Sequence, residues 1–245
     1  MDIQIVASSS KGNAIVISDG ITKLLLDAGL SFKNLQNKLF DLGTGFSDIE
    51  GILVTHEHKD HCLAVPELLK RGKHVYMSKG TQDKYSATFM GAHIVNHGRQ
   101  FRVGSFVVMP FDVEHDANEP LGFIVESMAT KEKACYIVDT CDIDYSFSGI
   151  THWIIECNHS QSILENSSVP DFLKKRIRES HMSFENLREF LKEEDLSKTI
   201  SIHLVHLSDS NSHEEEFIDG IQKATGVPVY TDTTSLTKEK IAKST

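Results

Sequence analysis

The chain has 245 residues and a net charge of −10, from 25 Lys+Arg and 35 Asp+Glu. That length supports a real core, and one domain over residues 1–245 is expected. The acidic balance argues against coating nucleic acid along the whole surface, but bound cations and local basic patches can still hold phosphate.

No run approaches the ~18 apolar residues of a membrane span. Met1-Asp2-Ile3-Gln4 lacks the positive start and apolar run of a signal peptide. Cys62, Cys135, Cys141 and Cys157 form no CxxC pair, so reduced thiols in a cytoplasmic protein are expected, away from membranes.

Ile3 to Ala7 reads as a strand, followed by a small polar loop, Ser8-Ser9-Ser10-Lys11-Gly12-Asn13. Ala14 to Ser18 and Lys23 to Asp27 read as strands joined by a hairpin turn at Asp19-Gly20. Asp27 ends a buried run, Leu24-Leu25-Leu26, where a carboxylate is costly unless paired. It either caps a turn or supports a metal ligand. Ser31 to Leu42 predicts a helix with Ser31 as N-cap and Gly43 as its stop.

The apolar run Gly51-Ile52-Leu53-Val54 reads as a buried strand leading into Thr55-His56-Glu57-His58-Lys59-Asp60-His61. His56 and His58 lie two apart, so in extended chain they point the same way. Leu63, Val65, Leu68 and Leu69 give the following segment a helical face. One loop can therefore aim three imidazoles and a carboxylate into one space. Neutral imidazole and carboxylate are ligands for zinc, manganese or iron.

Lys73 to Ser78 predicts a strand, Thr81 to Phe89 a short helix, and Ala92 to Val95 a strand. Phe106 to Val113, Leu121 to Ser127, Ala134 to Val138 and Thr151 to Glu156 are further strands. Helices are expected over Pro170 to Arg178 and Ser183 to Glu193. Thr199 to Val205 predicts a strand, and Ser212-His213-Glu214-Glu215 a capping box opening a helix to Lys223. Val227 to Tyr230 is the last strand, and the polar tail from Thr233 is expected to fray. Asp27, His56, His115, Asp139 and His206 all fall at strand ends, which suggests a single pocket along one sheet edge.

His56-x-His58-x-Asp60-His61, then His115, Asp139 and His206, resemble the ordered motif series of the metallo-β-lactamase superfamily. The resemblance implies an α/β fold, an αββα four-layer sandwich, with a two-metal site at one edge. It assigns His56, His58 and His115 to one ion and Asp60, His61 and His206 to the other, with Asp139 bridging. Asp27 matches the family's buried aspartate behind the ligand loop.

The likeness narrows to the YycJ/WalJ exonuclease-like group. It is carried by Val6-Ala7-Ser8-Ser9-Ser10-Lys11-Gly12-Asn13, Leu26-Asp27-Ala28-Gly29, Val113-Glu114-His115-Asp116-Ala117-Asn118, Glu156-Cys157-Asn158-His159 and His206-Leu207-Ser208. Lys174-Lys175-Arg176-Ile177 and Ser180-His181-Met182-Ser183 resemble that group's basic helix and Gly-His-Leu-Ser element. The departures are Ser8 or Ser9 for a glycine, Cys141 for a glycine, and Ser180-His181-Met182 for Gly-His-Leu. None falls on a metal ligand. The interval from Asp139 to His206 is too short for the inserted domain of the RNase J-like nucleases.

Two close divalent ions lower the pKa of a shared water to about neutral and neutralise charge on a phosphodiester. The expectation is a metal-dependent phosphodiesterase using two zinc or manganese ions, with iron also compatible, and DNA as substrate. Asp60 counts among the catalytic residues as well as the ligands. His181 and His159 are candidates to protonate the leaving oxygen, unless each is a linker or capping histidine. Lys174, Lys175, Arg176 and Arg178 could contact a nucleic-acid backbone, or form a solvated helix face. The rival readings are a small-molecule metallohydrolase on the same scaffold, cleaving a thioester, lactone or cyclic phosphodiester, and a sensor that keeps the metal for folding.

Overall fold

A computed structural model describes residues 1–231. The tail expected from Thr233 lies outside them. The described chain falls into two compact units: residues 1–112 with 117–132, and residues 113–116 with 133 onward.

The first unit opens with β1 (Asp2–Ala7), β2 (Ala14–Ser18) and β3 (Lys23–Leu26), paired antiparallel in that order. The β2–β3 connection is a four-residue loop, wider than the expected two-residue turn. Asp19 closes it by accepting from the backbone N–H groups of Ile21 (3.0 Å) and Thr22 (2.9 Å). Helix α1 (Phe32–Asp41) follows, its N-cap Ser31 accepting from the Asn34 N–H as expected. Strand β4 (Ile49–Leu53) then adds parallel to β3.

The predicted helix after the histidine motif is split into α2 (Lys59–Cys62) and α3 (Val65–Lys70), with Pro66 at the start of α3. Strand β5 (Val75–Met77), helix α4 (Lys79–Lys84) and strand β6 (His93–Ile94) complete this sheet, ordered β1 to β6. Helix α4 begins two residues earlier than predicted, because Ser78 caps it by accepting from the Thr81 N–H. Strands β7 (Phe101–Val103), β8 (Phe106–Asp112) and β9 (Leu121–Ser127) pair antiparallel. The short β7 has no counterpart among the predicted elements.

The core of this unit shows why these elements hold. Leu35 and Leu39, one turn apart on α1, are fully buried with Leu25, Ile52, Val54, Val65 and Leu68. Each such side chain contributes about 1.5–3 kcal/mol of burial.

The second unit is built on a parallel sheet of β10 (Lys133–Ile137), β11 (His152–Glu156), β12 (Ser201–Val205) and β13 (Val229–Tyr230), in that order. Between β11 and β12 the chain forms α5 (Gln161–Asn166), α6 (Asp171–Ser180) and α7 (Phe184–Glu193). Helix α5 is a further element without a predicted counterpart. Helix α8 (Glu214–Thr225) joins β12 to β13. Its expected capping box does not form: His213 is the N-cap, and the Ser212 hydroxyl instead donates to the Ser208 carbonyl at 2.6 Å. β11 and β12 are buried along their whole length, as crossover strands must be. The register pairs Ile137 with Ile155 and Glu156 with Val205, so the carboxyl ends of β10, β11 and β12 line up. Crevices for ligands form at such ends.

Candidate metal centre

In the first unit the ligand loop is held from behind by one carboxylate. Asp27, fully buried, accepts from the Thr55 N–H (2.8 Å) and the Thr55 hydroxyl (3.0 and 3.1 Å). It also contacts His61 Nδ1 at 2.7 Å. The Thr55 hydroxyl also lies 3.0 Å from His56 Nδ1. Asp27 therefore caps the turn and contacts the ring of a ligand-type histidine at once. The turn packs so closely that a side chain at Gly29 would place its Cβ 1.6 Å from the Asp60 carbonyl oxygen. Glu57, not singled out in the sequence, anchors a second loop by accepting from the Asn118 N–H at 3.0 and 3.1 Å.

The loop brings its nitrogen atoms together. His56 Nε2 and His58 Nδ1 face each other at 2.9 Å, and His61 Nε2 lies 3.5 Å from the Asp60 carboxylate. One N–H shared between two neutral imidazoles satisfies this contact, and a divalent cation held by both nitrogens would take that proton's place. This donor set fits a divalent metal.

In the second unit a different cluster forms at the strand ends. Asp139 follows β10, Glu156 ends β11, and His206 follows β12. His206 Nδ1 lies 2.7 Å from Glu156 Oε1 and 3.1 Å from Asp139 Oδ1. His181, at the end of α6, reaches the same two atoms through Nδ1, at 2.8 and 3.0 Å. Glu156 is fully buried and also accepts from the N–H groups of Met182 (3.1 Å) and Thr140 (3.4 Å). The four side chains offer ligand atoms within 4.8 Å of one another. His115 stacks edge-on against His181, with ring centroids 5.9 Å apart.

Glu156 carries no predicted role. The signal for it is the one used for Asp27: a carboxylate closing an apolar strand, His152-Trp153-Ile154-Ile155-Glu156. Backbone geometry marks the same places. Asp27 (φ 57°) and His206 (φ 57°) directly follow β3 and β12, and Asp139 (φ 54°) lies two residues past the end of β10; all three are left-handed non-glycine residues. Such conformations cost about 1–3 kcal/mol each and collect at functional sites.

The electrostatics separate the two proton-donor candidates. Burial pushes the His181 imidazole down, but the Glu156 charge and the hydrogen bonds the ring donates to Asp139 and Glu156 outweigh it and lift it to about 9. Burial likewise raises the Glu156 carboxyl, and the His181 charge with both histidine hydrogen bonds brings it below its ordinary value. His159 goes the other way: burial lowers it to about 4, against the opposing pull of Glu156. It is 1% exposed, and neither ring nitrogen has a hydrogen-bond partner among the described residues. These pulls favour the charged form of His181 and the neutral form of His159.

The basic run of α6 is more committed than its sequence suggests. Lys174 is buried and donates to the Glu165 carbonyl at 2.6 Å, which takes it off the face a nucleic acid could reach. Arg178 pairs with the Glu165 carboxylate, Lys175 with Glu179 at 3.7 Å, and Arg176 with Asp116 at 3.0 Å. The last three remain exposed at the surface. All four cysteines are free thiols, and Cys62 donates to the Glu57 carbonyl. No helix among the described residues is long and apolar enough to cross a membrane.

Residues 22–204 match the family model described as the β-lactamase superfamily domain. The chain belongs to the metallo-β-lactamase superfamily. It is 31% identical to exodeoxyribonuclease WalJ of Streptococcus pneumoniae, over 86% of this chain and 83% of that one. It is 28% identical to exodeoxyribonuclease YycJ of Bacillus anthracis, over 88% and 85% respectively. Among solved structures, the metallo-β-lactamase fold protein YhfI of Bacillus subtilis superposes with a TM-score of 0.73 at 14% identity, covering 94% of this chain and 95% of that one. The fold is thus the superfamily's α/β sandwich, a metal-dependent hydrolase scaffold that carries divalent ions, and both ligand clusters are of a kind to hold them.

Proposed function

We propose that this superfamily member is a metal-dependent phosphodiesterase that shortens DNA from an end. The supporting likeness is to relatives named exodeoxyribonucleases, which runs over most of both chains. The observation that carries the reading is the strand-end cluster, in which Glu156 Oε1 lies within 2.8 Å of the Nδ1 atoms of both His181 and His206. A histidine whose Nδ1 is fixed on a carboxylate presents Nε2 in a set direction.

We assign His56, His58 and His115 to one ion and Asp60, His61 and His206 to the second, with Asp139 shared, as the resemblance implies. Such ions supply an activated water near neutral pH and offset charge on the phosphodiester. Zinc and manganese both suit an all-His/Asp set, and iron is compatible. The chain's own residues do the rest. Asp27 and Glu156 orient ligand imidazoles through Nδ1, and Asp60 and Asp139 supply negative charge. His181, held on Glu156 through Nδ1, donates a proton to the leaving oxygen. His159, neutral and buried, lines the site without that task. We assign contact with a phosphate backbone to the exposed Lys175, Arg176 and Arg178 of α6. The free cysteines favour a reducing, cytoplasmic setting.

The test is metal-stripped protein resupplied with zinc, manganese or magnesium and offered 5′-labelled duplex DNA, bis(p-nitrophenyl) phosphate and a thioester. Metal-dependent shortening of the DNA from one end is the expected result. Thioester cleavage with silence on both phosphates would overturn the reading.

A further inference from the structure

Helix α2 has two faces with different tasks. At 3.6 residues per turn, Asp60 and His61 share one side, and Lys59, Cys62 and Leu63 share the other. Behind that second side lies an apolar cavity of about 120 Å³. Cys62, Leu63 and Pro66 line it together with Tyr85 and Phe89. The two aromatic rings sit 5.0 Å apart at 56°. Phe89 and Cys62 are buried at 1% and 3% exposure, while Leu63 is 47% exposed at the opening. Lys59 and Thr88 complete the lining, and Lys59 has no acidic partner among the described residues.

Three features define what fits. The cavity is far below the ~300–1,000 Å³ that encloses a whole small ligand, so it holds one ring of something larger. Its walls are apolar and aromatic, which suits a flat π-face. Its unpaired cation suits an anion attached to that ring. A nucleotide within a strand joins those features, an aromatic base beside a phosphate. The cavity and the ligand-bearing side of α2 are separated by roughly one helix diameter, about 10–12 Å. The base it takes is therefore near the bond being cut and not part of it.

We propose that this cavity is a nucleobase subsite, seating one unstacked base near the scissile bond with Lys59 on that nucleotide's phosphate. The inference rests on the nuclease reading above and deepens it. Base–aromatic contacts of this kind tolerate any base, so the subsite would position a strand without selecting its sequence.

The experiment walks a single abasic nucleotide through the first four positions from the digested end, using the metal-loaded wild-type protein. At one position, kcat/KM is expected to fall by about 5- to 150-fold relative to intact DNA. A second arm uses Thr88→Trp, an exposed rim position where the new ring would fill the cavity. That variant should lose a similar factor on intact DNA and no longer distinguish intact from abasic strands. Its folding is checked by circular dichroism and metal content, and the abasic walk on wild type stands without it. Equal turnover of intact and abasic strands at every position would overturn the subsite while leaving the nuclease reading in place. Failure to shorten any DNA with any ion would overturn the nuclease reading, and the subsite with it.

Discussion

In the first unit, His56, His58, Asp60 and His61 come from one short loop, and a single carboxylate, Asp27, steadies it through Thr55 and His61. In the second unit, Asp139, Glu156, His181 and His206 come from four separate segments, and two carboxylates hold two histidines. The local loop gains its geometry from one turn gathered on a single carboxylate. The dispersed cluster gains its geometry from sheet register and concentrates charge. Damage to a supporting carboxylate should therefore stay local in the first unit and spread to two imidazoles in the second.

The largest expected effect comes from removing ligands. Asp139→Asn and His56→Ala should each lower DNA hydrolysis by ~10³-fold or more, because bound ions supply several kcal/mol of charge stabilisation. Metal analysis of each variant should show less than the wild-type content. Unchanged activity in both would remove the metal mechanism.

Next come the supports, where the comparison is sharpest. Glu156→Gln and Asp27→Asn should each cost about 10–100-fold in metal affinity or activity. Glu156→Gln should alter the NMR signals of both His181 and His206, whereas Asp27→Asn should move only His61 and its neighbours. Equal reach of the two substitutions would break the distinction drawn between the units.

A smaller effect is expected at the helix surface. Replacing Lys175 and Arg176 by Ala should weaken DNA binding at low salt and make log K fall less steeply with log salt, by about one in slope for each phosphate that is no longer neutralised. Lys174→Ala should act instead on thermal stability, since its ammonium holds the Glu165 carbonyl. A shallower salt slope from Lys174→Ala alone would contradict that assignment.

The smallest effect is away from the site. Burial pushes the Asp19 carboxyl up, but hydrogen bonds from Ser105, Thr22, Ser127 and Ile21 hold it at about 2, against 3.8 unperturbed. The folded value is the lower one, so its stabilisation is complete above about pH 4 and lost as pH falls toward 2. Asp19→Asn should cost about 1 kcal/mol at neutral pH. In urea titrations the gap from wild type should close toward pH 2, and a gap constant with pH would rule out this linkage.

The same contrast explains what is legible in the sequence. The His56–His61 loop can be read locally, because its ligands lie within six residues behind an apolar strand. Some helices are legible for the same reason: Ser31 caps α1 with its side-chain oxygen and Ser183 stands at the start of α7, both local chemistry, whereas the Ser78 cap is hidden behind a strand signal. Asp139 and His206 are legible locally only as ligand-type residues at strand ends, and their roles come by resemblance, since nothing near either residue in the chain announces the other. Glu156 escapes notice because a carboxylate at a strand end has two equally ordinary uses, and only the register of β11 with β12 shows which applies. β7 and α5 escape notice because three to six residues hold too little periodicity to signal. The expected capping box at Ser212 fails because a tertiary acceptor, the Ser208 carbonyl, competes for the hydroxyl.

The most direct test of the central claim is a titration of metal-free protein with manganese, following bound ion and DNA shortening together. The account predicts two equivalents per chain, with shortening of DNA rising as the second is filled. Full activity at one equivalent, or without any metal, would contradict it.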